Sequence, residues 1–110
     1  MNQGHVNPGE VVNLRTLTNE MPPESTFALV KTPDMEVIRM VLPGGKKVDE
    51  HSVKGEISVQ CLEGKTLFTV EDKELELNEG DWLYLNRNQS HSLKALTDSV
   101  LLVTILFTDT

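Results

Sequence analysis

Nine short segments, each separated from the next by turn-forming residues, constrain this chain more than any other feature. They are VVNLRTL (11–17), FALVK (27–31), MEVIRMVL (35–42), EISVQCL (56–62), KTLFTV (65–70), ELEL (74–77), DWLYL (81–85), HSLKAL (91–96) and SVLLVTILF (99–107). All are rich in Val, Ile, Leu, Thr and Phe, and Gly, Pro, Asn and Asp cluster between them in stretches such as PGGKK, NEGD and NRNQS. Helical periodicity is absent. Many short strands with regular turn signals imply an all-β sandwich or closed barrel. The last segment is apolar at nearly every position. Such a strand is buried on both faces, one toward the core and one toward another subunit.

The chain has 110 residues, enough for one domain with a real core and no need of disulfides. Its formal net charge of −7 disfavours nucleic acid and anionic membrane as partners. Cys61 is the only cysteine, so no intrachain disulfide or paired-cysteine zinc site can form. The first residues carry no basic and apolar leader pattern, and the longest apolar run is too short to span a bilayer as a helix. A reduced, cytoplasmic protein is the expectation. Residues 1–20 read as an arm that adds a strand to its own sheet or to a neighbouring subunit, with the barrel domain at 21–110.

Two histidines stand at strand mouths, His51 and His91, and the residues around them are spaced in a recognisable way. Gly45 is followed by five residues, then His51, Ser52, Val53, three residues, Ile57, six residues and Gly64. Gly80 is followed by five residues, then Asn86, Arg87, Asn88, two residues, His91, three residues and Ala95. Fifteen residues separate Gly64 from Gly80. This spacing resembles the two motifs of the cupins, small jelly-roll β-barrels of two antiparallel sheets, over roughly residues 35–110. In metal-binding cupins four ligand positions converge inside the barrel on iron, manganese, nickel or zinc.

The resemblance implies that His51 and His91 face the interior and each other, with Val53 and Ile57 completing the ring in hydrocarbon. Two imidazoles without a carboxylate make at most a weak metal site, because catalytic iron and zinc sites use three protein ligands. A third ligand needs special geometry. Glu56 has the wrong strand parity beside Ile57, and Glu50 has the same problem beside His51. Cys61 has the parity of Ile57 and so lines the interior, in the usual role of a small buried hydrophobe. His5 reaches the interior only if the arm folds over a barrel mouth.

Three functions remain open. The favoured one is a barrel that binds a small, partly apolar molecule in a pocket of His51, His91, Val53, Ile57 and Cys61. The second is a metal-dependent dioxygenase or isomerase using His51, His91 and a ligand outside the motif; a metal-free isomerase working by acid–base chemistry of the two imidazoles is a variant of it. The third is a vestigial barrel whose histidines only complete the interior. A homodimer is expected in each case. Trp82 and Tyr84 share a strand face and either line the pocket or pack between the sheets, core packing being the favoured role. Asn88 is expected to take the left-handed conformation of a turn glycine. Ser52 and Ser90 lack the context of a hydrolase triad.

Overall fold

The computed structural model describes residues 6–15 and 25–107. These form nine strands: β1 (Phe27–Lys31), β2 (Met35–Leu42), β3 (Lys47–His51), β4 (Gly55–Glu63), β5 (Lys65–Val70), β6 (Lys73–Asn78), β7 (Trp82–Leu85), β8 (His91–Ala95) and β9 (Ser99–Phe107). Two antiparallel sheets face one another, with strand orders β1-β2-β9-β4-β7 and β3-β8-β5-β6. This is the all-β jelly-roll barrel expected. No helix among the described residues is long and apolar enough to cross a membrane.

The alternation of side chains along each strand builds the core. In β4, Gly55, Ile57, Val59 and Cys61 are buried while Glu56, Ser58 and Gln60 are half-buried or exposed. From the opposite sheet Phe68, Val70, Leu77 and Leu93 meet them. The β5–β6 hairpin turns Leu75 and Leu77 inward and Glu74 and Glu76 outward. Thr66 is fully buried among these residues, and its hydroxyl has no hydrogen-bond partner among the described residues.

Three features depart from the sequence reading. Lys47–His51 forms a strand although it is mostly charged, because it needs to pair only with β8 at a sheet edge. The strand expected at 11–17 is not seen over 11–15, where Leu14 and Arg15 form a turn; residues 16 and 17 lie outside the described residues. Instead, Val6 donates its N–H to the Leu29 carbonyl on edge strand β1, and the Leu14 carbonyl accepts from Arg39 Nε at 3.0 Å. Arg39 is thereby buried on the outer face of the five-stranded sheet. Finally, Trp82 and Tyr84 are not core residues. They are 62% and 48% exposed, because β7 is an edge strand and its register sets them beside Gln60 and Ser58 on the outer face.

Candidate functional site

The loop 86–90 delivers His91 into the barrel. Asn88 adopts φ of 61°, the left-handed region that asparagine tolerates better than most residues, and donates its N–H to the Val53 carbonyl at 2.9 Å. Gln89 ties the loop at two points. Its Oε1 accepts from the Asn86 N–H at 2.9 Å, and its Nε2 donates to Glu71 Oε2 at 3.0 Å on the β5–β6 turn. Ser90 Oγ donates to Glu50 Oε2 at 2.8 Å on β3. The approach to His91 is thus anchored to both neighbours of β8.

His91 is only 5% exposed. Its ring stacks on Phe68, with centroids 6.4 Å apart and planes at 26°. Its Nδ1 lies 3.1 Å from the Gln89 carbonyl oxygen. A carbonyl only accepts, so the neutral ring carries its proton on Nδ1 and Nε2 is the basic nitrogen. Whatever meets Nε2 must donate.

Strand register aligns the two histidines, since His51 pairs with His91 across β3 and β8, and Val70 pairs with His91 on the other side. Of His51 only the backbone is described. Val53 packs partly buried against the core, and Ile57 is buried between Leu85 and Ile105 in register. Both lie toward the histidine end. Cys61 does not. It shares the inward face of Ile57 but sits four residues further along β4, about 13 Å at strand rise, at the β4–β5 turn. There its thiol donates to the Glu63 and Gly64 carbonyls. Burial, with Asp81 nearby, pushes its pKa up, so the thiol stays protonated. The residues assigned to one pocket are therefore divided between two ends of the barrel.

A cleft of about 230 Å³ opens at the seam between β6 and β7. Val70, Leu75, Leu83 and Leu85 give it apolar walls, and Glu71 and Gln89 stand among its polar groups. His91 does not line this cleft; Val70, its register partner, and Gln89, whose carbonyl meets its Nδ1, stand between them. Sequence reasoning missed it, because the meeting of two sheet edges is a tertiary feature.

The donor set of the described residues does not fit a resident metal. Among the described residues no three His, Cys, Asp or Glu side chains come together to hold an ion. Two of the four positions given by the resemblance are the hydrocarbons Val53 and Ile57. Glu56 points outward and accepts from the Tyr84 hydroxyl at 2.5 Å, a bond that raises the Tyr84 pKa. Glu50 is engaged by Ser90. His5 lies outside the described residues.

A comparison with functionally curated proteins finds no match. Among solved structures, a conserved protein of unknown function from Streptococcus pyogenes aligns at a TM-score of 0.78 and 19% identity, covering 99% of this chain and 95% of that one. A cupin superfamily protein from Desulfitobacterium hafniense aligns equally well, at a TM-score of 0.78 and 15% identity, over 96% of both chains. A predicted oxalate decarboxylase from Thermotoga maritima reaches 29% identity and a TM-score of 0.61 over 66% of each chain. The family model for the cupin domain matches residues 37–107, spanning both histidines and eight of the nine strands in whole or in part. On that match, and on the barrel and spacing described above, this chain belongs to the cupin family.

Proposed function

We propose that the histidine end of the barrel binds a small, partly apolar molecule carrying a hydroxyl or N–H donor, with His91 as its anchor. The observation that carries this reading is His91 itself: a buried imidazole, stacked on Phe68, whose Nδ1 is committed to a backbone carbonyl and whose Nε2 is an acceptor. Apolar walls with a few fixed polar groups are the usual makeup of a small-molecule site.

Thermal denaturation with phenol, indole and anisole tests the reading. Phenol and indole, which can donate, are expected to raise the melting temperature; anisole, which cannot, leaves it unchanged. His91→Phe keeps a ring over Phe68 and removes both nitrogens, so it should weaken the phenol effect by about tenfold in affinity, the equivalent of one lost hydrogen bond to a buried group. Equal stabilisation by anisole would remove His91 as the anchor. No response to any of the three would favour a purely structural barrel.

A second copy of the chain is the partner proposed for the outer face of the five-stranded sheet. Trp82, Tyr84 and Leu106, the last 46% exposed, lie on this face. Five strands about 4.8 Å apart and on average about seven residues long give a face of roughly 550 Å², the larger part of the ~800 Å² per partner of a standard interface. Light scattering during gel filtration should give a dimer mass, reduced to a monomer in Trp82→Glu/Leu106→Glu. A monomeric wild type at tens of micromolar would sink the proposal.

A further inference from the structure

We infer that Gln89 is the positioning residue that holds His91 in its Nδ1–H tautomer, and thereby restricts the site to donor-bearing ligands. The selection of donors rests on the binding role proposed above; the tautomer assignment does not.

An imidazole in water exchanges between two neutral tautomers, and a fixed acceptor beside one nitrogen selects between them. Here that acceptor is the Gln89 carbonyl oxygen, 3.1 Å from Nδ1. A carbonyl two residues away selects a tautomer only if its peptide plane is fixed, and the Gln89 side chain supplies the fixing. Its two ends bond in opposite directions, to the Asn86 N–H at 2.9 Å and to Glu71 Oε2 at 3.0 Å. The Gln89 N–H in turn donates to the Asn86 carbonyl at 3.2 Å, closing a ring of bonds within the loop. Glu71 and Asp72 form the β5–β6 turn, with φ of 48° and 68°. One amide side chain therefore links the β5–β6 turn to the orientation of a carbonyl, and that carbonyl to the protonation pattern of a buried ring. Metal-binding histidines are oriented by the same kind of outer contact; here the chain has such a contact at a site whose donor set does not fit a metal.

The test is the ring-nitrogen spectrum of the full chain labelled with nitrogen-15. Long-range proton–nitrogen correlations distinguish a protonated ring nitrogen from a bare one, and His91→Phe identifies the His91 signals among the three histidines. Wild type is expected to show Nδ1 protonated and Nε2 bare. Gln89→Ala should reduce the ratio of the two tautomers at least about fivefold, the weight of one ordinary hydrogen bond, with the amide spectrum of the strands unchanged. Glu71→Gln can still accept from Gln89 and should preserve the wild-type tautomer, whereas Glu71→Ala should move toward Gln89→Ala. A wild-type His91 protonated at Nε2 would overturn the inference, as would a Gln89→Ala spectrum identical to wild type. No ligand enters this measurement, so its failure is separable from a failure of the phenol and indole experiment.

Discussion

Gly64→Ala is expected to destabilise the barrel by about 3–5 kcal/mol, a large share of the roughly 5–15 kcal/mol that holds a domain of this size together. Two costs add at this one position. Gly64 has φ of 85°, where an alanine is strained by about 1 kcal/mol or more. The second cost is the larger. A Cβ at Gly64 would overlap the Asp98 carbonyl oxygen and lie 2.9 Å from Ser99 Cα, both backbone atoms that no rotamer change can move. Relieving the overlap means separating the β4–β5 turn from the β8–β9 turn. That separation would disturb the bonds between them: Lys65 N–H to Thr97 Oγ1 at 3.0 Å, Ser99 Oγ to the Lys65 carbonyl at 3.1 Å, and Leu96 N–H to the same carbonyl at 2.8 Å. Gly80→Ala is the control. Its φ of 92° is equally left-handed, but no described residue lies within 4 Å of the added methyl. It should cost only the backbone strain, about 1–2 kcal/mol. Urea denaturation of the two variants separates the contributions. Equal midpoints would mean that the closed end yields more readily than its hydrogen bonds imply.

The same two glycines mark how much was legible in the sequence. Gly64 and Gly80 are motif positions with strand segments on either side in the sequence, and both lie in the turns between strands with positive φ. Strand existence is legible wherever one face is buried, because burial imposes alternation; β4 is the clearest case, while β9 shows itself by a continuous apolar run. The strand that escaped, β3, is an edge whose Lys47, Asp49 and Glu50 need no core-facing partners. Parity reasoning correctly placed Glu56 outside and Ile57 inside. It said nothing of position along the barrel axis, so Cys61 was assigned to the histidines although the β4–β5 turn holds it at the other end. Trp82 and Tyr84 were misread for a related reason. Alternation shows that they share a face but not which face, and that choice is made by the pairing of β7 with β4. The His51–His91 register, by contrast, followed the spacing. The tie between Gln89 and Glu71 was not legible at all, since it joins two turns that meet only once the sheet has formed.

Restoring the two missing donors should convert the histidine end into a metal site, and the conversion would show in stability before any activity. Ile57 is 4% exposed and surrounded by Leu85, Ile105 and their neighbours. A lone Ile57→Glu therefore places a carboxyl where it has neither water nor partner, at a cost of about 3 kcal/mol or more, softened only by its staying protonated. Val53→His adds an imidazole on the same approach to the barrel. With both changes, and with His51 and His91 in the roles that the motif spacing gives them, a divalent ion would have three imidazoles and a carboxylate. Binding then offsets the burial of charge, because the ion favours only the folded chain. At a zinc concentration about 100 times the dissociation constant the gain is about 2.7 kcal/mol. The expected result is a double variant that melts well below wild type without metal and recovers much of the difference with zinc, beside a wild type that does not respond. Metal content after incubation and desalting gives the independent check, and untagged protein avoids added histidines. A double variant that stays metal-free would show that these four positions do not converge as the motif implies. One ion per wild-type chain, lost in both His51→Ala and His91→Ala, would instead mean that the unaltered barrel draws a ligand from beyond its described donors, and the reading of a hydrocarbon-filled metal position would fall with it.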